Sequence, residues 1–167
     1  MKKLLGIVLA LASLPLVAHA QTPSAAQAAP DFSGTWNIDL AKSDFGPAPQ
    51  PTVETEVIKE TGNNVTIASH SVNDMGTRDY TFAVVLGGPE APFPAPATDE
   101  SPFKILSSKA EWKGGEMVIT QKTTFQDDPG TLTATYTLMG GGKVLMKAVH
   151  LSTSNGDFDL TEVYNKA

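Results

Sequence analysis

FKILSSKAEWKGGEMVITQKTTFQDDPGTLTATYTLMGGGKVLMKAVHLSTSNGDFDLTEVYN, residues 103–165, holds five alternating apolar runs separated by Gly114-Gly115, Asp127 to Gly130, Gly140 to Gly142 and Asn155-Gly156. A period of two marks strands with one buried face, and short connections rich in Gly, Asn and Asp join such strands antiparallel. Turn length then fixes which side chains share a face, because a slip of one residue would move every apolar group to the solvent side. A two-residue turn at Gly114-Gly115 sets Trp112 opposite Met117 and Ser108 opposite Gln121. A four-residue loop from Asp127 to Gly130 sets Phe125 opposite Leu132 and Gln121 opposite Tyr136. At the glycine turn, a wide loop from Met139 to Val144 matches Leu138 with Leu145 and is preferred to a two-residue loop matching Leu138 with Lys143. Asn155-Gly156 as the centre of the last turn sets Leu151 opposite Leu160 and Lys147 opposite Tyr164.

Working outward from this run, the same pattern extends upstream over 32–40, 52–60, 64–72 and 78–86, the last three joined by Gly62-Asn63 and a short 73–77 connection. The expected fold is all-β: an antiparallel up-and-down meander closed into a lipocalin-like barrel of 8–9 strands. The Pro-rich stretch 87–102 (GGPEAPFPAPATDESP) is longer than a hairpin loop and reads as a solvated flap or as a lid over the barrel mouth.

The register places Ser108, Gln121, Tyr136, Lys147 and Tyr164 in one inward row, with Glu162 one row from Lys147. Thr131, Thr133, Thr135, Thr137, Lys109, Glu111, Lys122, Asp157 and Asp159 face outward. A buried polar group without a partner costs about 1–3 kcal/mol, so the row must be satisfied from within or by a guest. Either Lys147 pairs with Glu162 while the tyrosines bond one another or water, or Ser108, Gln121, Tyr136, Lys147, Glu162 and Tyr164 meet the polar end of a mostly apolar ligand.

Gly34-Thr35-Trp36, at the entry to the first strand, resembles the Gly-x-Trp signature of the lipocalins and related calycin barrels. The longer run FSGTWNIDLAKSDFGP from Phe32, with Trp112-Lys-Gly-Gly and the terminal Val163-Tyr-Asn-Lys166, is similar to exported bacterial lipocalin-like β-barrel proteins, a group without an assigned function. The resemblance implies that Trp36 plugs the closed end of the barrel and that a basic residue of a late strand lies across it. With no cysteine and a single arginine, Arg78, the chain departs from that pattern, and Lys166 is the matching cation.

Residues 1–20 carry Lys2 and Lys3, the apolar run from Leu4 to Val17, and Ala18-His19-Ala20, the three parts of a cleaved secretory signal peptide. The run is too short to span a bilayer, so no membrane insertion is expected after cleavage. Residues 21–31 read as a flexible linker and 32–167 as the barrel domain. Removing the leader leaves ten basic against eighteen acidic residues, a formal charge of −8. Such a surface repels phosphate, which excludes nucleic acid as an expected partner. Without cysteine, the exported domain must rely on burial and hydrogen bonding.

His70 and His150 lie in no metal-ligand spacing, Asp127-Asp128 belongs to a turn, and neither a nucleophile elbow nor a phosphate loop is present. No catalytic residue, metal or cofactor is therefore expected. An outer-membrane barrel would turn Lys109 and Lys122 toward lipid, at about 2–4 kcal/mol for each midplane Lys. The expected function is an exported soluble barrel, periplasmic or secreted, that binds a small apolar or amphipathic molecule. The alternative is a structural or protein-interaction module with a filled barrel, docking through Val144, Met146, Ala148 and Val163. The oligomeric state is not encoded in any of these features.

Overall fold

The structure, a computed structural model, describes residues 29–94 and 103–167. The signal peptide, nearly all of the linker and the second half of the 87–102 excursion lie outside the described residues.

Ten strands follow one another: β1 (Gly34–Ile38), β2 (Val53–Thr61), β3 (Asn64–Asn73), β4 (Gly76–Val85), β5 (Ala91–Pro92), β6 (Phe103–Lys113), β7 (Glu116–Phe125), β8 (Asp128–Met139), β9 (Val144–Thr153) and β10 (Gly156–Lys166). They form a single antiparallel sheet in the order β4-β3-β2-β1-β10-β9-β8-β7-β6-β5, a meander that returns on itself through the β1–β10 pair. Nine of these strands match the nine runs read from the sequence. The tenth, β5, comes from the 87–102 excursion, whose first half is drawn into the wall instead of leaving it.

The seam between β4 and β6 is bridged rather than laddered. Leu86 pairs in parallel with Ala110, the Gly87 amide donates to the Ala110 carbonyl at 2.8 Å, and Ala91 and Pro92 pair with Ser108 and Ser107. A bulge between Ile105 and Ser107 turns Leu106 outward, where it is 50% exposed. The barrel is thus nearly closed.

Three turns decide the register, and two differ from expectation. The β7–β8 turn is the two-residue Gln126-Asp127, with φ of 50° and 71°, so Phe125 faces Asp128 and Gln121 faces Leu132. Gly130 is needed in the strand instead of the turn, because a Cβ there would meet Thr123 Oγ1 at 2.9 Å and the Ser152 carbonyl at 3.0 Å. The glycine turn keeps Leu138 opposite Leu145, and Gly140, Gly141 and Gly142 all take positive φ, a run that side chains resist. The last turn is centred on Ser154-Asn155, tied by Thr153 Oγ1 to the Gly156 carbonyl at 2.8 Å, so Lys147 faces Glu162 and Leu151 faces Phe158. Both corrections are even-numbered slides, which preserve every inward and outward assignment.

One end is sealed around Trp36, which is fully buried and donates its indole N–H to the Phe32 carbonyl at 2.9 Å. Phe32 packs against Trp112 at 5.7 Å between ring centroids, and its amide donates to Glu60 Oε1 at 2.7 Å. Lys166 is the register partner of Trp36, and its ammonium lies 5.0 Å from the indole centroid. Gly34 leaves room for it, since a Cβ there would sit 2.7 Å from Lys166 Cε. The connection after β1 runs beside β10, with Asp44 bridged to Thr161 and both backbone groups of Val163 bonded to Asp39 and Ser43. Val163 is therefore covered, which corrects its expected place in an outer docking patch.

Removing so large a core side chain leaves a cavity that the rigid strand ends cannot close. Trp36→Ala is expected to lower the unfolding free energy in urea by about 3–5 kcal/mol. Lys166→Met, which removes only the charge above the ring, should cost less. Equal losses for the two variants would show that the indole does not carry the end of the barrel.

Candidate functional site

Above the Trp36 end, the interior holds a buried ionic cluster. Lys147 of β9 extends its ammonium to Glu56 Oε1 of β2 at 2.6 Å and to Glu162 Oε2 of β10 at 2.8 Å. The Glu56 contact crosses the lumen and joins strands 91 positions apart in the chain. Tyr164 Oη lies 2.6 Å from Glu54 Oε1 and 2.9 Å from Glu162 Oε2. A phenol has one hydrogen and ionised carboxylates only accept, so one of these two carboxyls retains a proton. Burial and the charge of Glu162 raise the Glu54 pKa. Burial likewise raises Glu56, whose second oxygen, Oε2, has no hydrogen-bond partner among the described residues.

Burial opposes the Lys147 ammonium, but Glu162 and Glu56 outweigh it and hold its pKa well above 10.5. Tyr136 and Tyr164 flank it, with ring centroids 5.9 and 6.0 Å from Nζ, and burial pushes both phenols well above 10.0. Carboxylate oxygens of Glu54, Glu56 and Glu162 come within 4.8 Å of one another, a grouping able to hold a metal ion, although Lys147 already supplies a cation to two of them.

The six expected ligand-binding residues are all buried, but they occupy three rows instead of the expected two. Ser108 and Gln121 bond to each other, Gln121 Nε2 donating to Ser108 Oγ at 3.1 Å. Tyr136, Lys147 and Glu162 share a row two steps on, past that of Ile119, Ala134, Val149 and Leu160, and Tyr164 lies opposite Leu145 in the row beyond. Glu54 and Glu56 were missed. Their signal was present, because the Gly62-Asn63 turn and the apolar Ile58, Val65 and Ile67 give Glu54 and Glu56 the inward parity of Ile58.

Toward the other end the inward face becomes apolar and open. Leu132, Leu151 and Phe158 are opposed across β8, β9 and β10, with Leu160 beside them. Phe158 remains 40% exposed despite facing in, and the three leucines are half-buried. On the facing wall Tyr80, Phe82 and Phe93 form an aromatic cluster, Phe82 and Phe93 being 5.2 Å apart. Arg78 covers Tyr80 and Phe103 at 5.9 and 5.8 Å.

The histidines face outward and are exposed, His70 bonded to Asp79 at 2.6 Å and His150 to Asp159 at 2.8 Å. An open hollow of about 430 Å³ lined by Thr55, Val57, His70, Asp79, Thr81 and Pro94 includes no residue of the ionic cluster.

The architecture can be set beside solved structures. A secretory abundant heat soluble protein from Ramazzottius varieornatus matches with a TM-score of 0.54 and 12% identity, over 81% of this chain and 95% of that one. Zebrafish ileal bile acid-binding protein, solved with cholic acid, matches with a TM-score of 0.54 and 15% identity, over 81% of this chain and 98% of that one. The fold is that of the calycin-like barrels. At ten strands among the described residues, it exceeds the eight of a lipocalin barrel. No family model matches the sequence, and no curated protein does.

Because burial lifts Glu54 and Glu56 above the ordinary 4.5, each contributes stability below that value that is lost as pH rises through its folded-state pKa. The melting temperature is expected to fall as pH rises above 4.5 and through the raised folded-state values of these carboxyls. Glu60, raised by burial, and His150, raised by its bond to Asp159, add to the fall with the same sign. The comparison with Glu54→Gln therefore isolates the cluster: thermal melts of that variant should show a shallower fall, whereas an unchanged slope would place the proton elsewhere.

Proposed function

We propose that this chain is an exported soluble barrel, periplasmic or secreted, that carries one small amphipathic molecule in its interior. The carrying observation is the partly exposed inward face of Leu132, Leu151, Phe158 and Leu160, lying beyond a buried polar cluster. Apolar surface turned inward yet left in contact with water gains about 25 cal/mol for each Å² that a guest covers. The cluster beneath supplies donors and acceptors that orient one end of the guest, the usual division of labour in a ligand pocket. The zebrafish bile acid-binding protein holds cholic acid within the same fold, which supports the capacity of the architecture. The leader-like residues 1–20 support export.

On this reading Tyr136, Lys147, Glu162 and Tyr164 surround the inner half of the ligand, joined by Glu54 and Glu56, while Ser108 and Gln121 meet it in the row of Leu132, Leu151 and Phe158. Trp36 and Lys166 seal the far end and remain structural. No step of chemistry is assigned to the interior.

Native mass spectrometry of protein purified from its exported fraction is expected to show a one-to-one small-molecule adduct. After delipidation, the neutral dye Nile red should bind with the same stoichiometry, and Leu151→Glu should weaken it by about tenfold or more. Absence of both adduct and dye binding would favour a filled interaction module over a carrier.

A further inference from the structure

We infer that the polar end of the molecule carried by this barrel is a protonated amine, held by Glu56 with Glu162 and the tyrosine rings around them. This assignment rests on the carrier reading above and gives the chemical class of its ligand.

The first ground is the charge of the site. Three carboxyl groups, Glu54, Glu56 and Glu162, face a single ammonium, Lys147, and all four side chains are buried. The shared Tyr164 contact neutralises one carboxyl by keeping a proton on it. Two carboxyls then remain against one cation, one more than Lys147 can match. A second monovalent cation entering the site lets both ionise without leaving a buried unmatched charge.

The second ground is independent of the charge count. Glu56 is fully buried, and while Oε1 accepts from Lys147 at 2.6 Å, Oε2 has no hydrogen-bond partner among the described residues. Ionised carboxylate oxygens only accept, so the complementary group is a donor, and an ammonium brings donor and charge together.

The third ground is the lining. Rings of Tyr136 and Tyr164 already sit 5.9 and 6.0 Å from the Lys147 ammonium, a distance at which an aromatic face attracts a cation. The apolar Leu132, Leu151, Phe158 and Leu160 beyond them suit the hydrocarbon body of an amphiphilic amine. A carboxylate-headed amphiphile would meet repulsion at the same depth. Arg78 on β4, whose guanidinium already covers Tyr80 and Phe103, suits such a head group better.

Calorimetry on the delipidated mature chain at neutral pH, with dodecylamine, 1-dodecanol and dodecanoate below their aggregation concentrations, separates these cases. Dodecylamine is expected to bind one-to-one and about tenfold or more tighter than 1-dodecanol, with dodecanoate weakest. Glu56→Gln should weaken dodecylamine by about tenfold and leave 1-dodecanol within about twofold. Should that variant fail to fold, Glu162→Gln provides the same comparison. Dodecanoate or 1-dodecanol equalling the amine, or amine affinity indifferent to these substitutions, would overturn the assignment while leaving the carrier intact. If Nile red and all three dodecyl probes fail to bind, the carrier reading falls as well.

Discussion

The ammonium of Lys147, buried between Glu56 and Glu162, is the contact on which the interior depends. Desolvating an ammonium and a carboxylate costs several kcal/mol per ion, recovered only where geometry and further hydrogen bonds are good. Here the recovery comes from two short contacts and from Tyr164, which links Glu162 to Glu54. Lys147 also ties β9 to β2 across the lumen, whereas the sheet itself joins them only through β10 and β1. The strand meander supplies the cylinder, and this pair braces it from inside.

The brace divides the barrel. On one side Trp36, Phe32 and Trp112 pack a closed apolar end beneath Lys166. On the other, Leu132, Leu151, Phe158 and Leu160 keep an inward apolar wall in contact with water. A molecule entering the open side meets apolar surface first and charge last. That order favours an amphiphile over a fully polar solute, since the hydrocarbon part gains most where the lumen is widest.

The strands and their facing were readable from sequence because alternation and turn residues each report on a single hairpin. Even-numbered slides preserve parity, so Lys147 could be placed inward and His150 outward although one turn was misjudged in length and another in position. Exact pairing was less accessible. Gln126 and Asp127 adopt positive φ in a turn where Gly130 seemed the natural candidate, and Gly130 is instead reserved for a close strand contact with Thr123 and Ser152. The acids of β2 escaped notice for a different reason. Glu54 and Glu56 share the inward parity of Ile58, but their meeting with Lys147 depends on the sheet curling to bring β2 across from β9, a relation that barrel closure creates and no local pattern contains. β5 was hidden likewise, because Ala91 and Pro92 lack strand periodicity and pair only where the seam needs covering.

The most direct measurement of the central claim is the protonation state of Lys147, followed by NMR of the lysine ammonium groups as pH is raised, with the resonance assigned through its loss in Lys147→Met. This ammonium is expected to persist beyond 10.5, protected from solvent, after surface lysines have lost their protons. Deprotonation together with the surface lysines, or below them, would show that Lys147 is not held between Glu56 and Glu162 and would contradict the account.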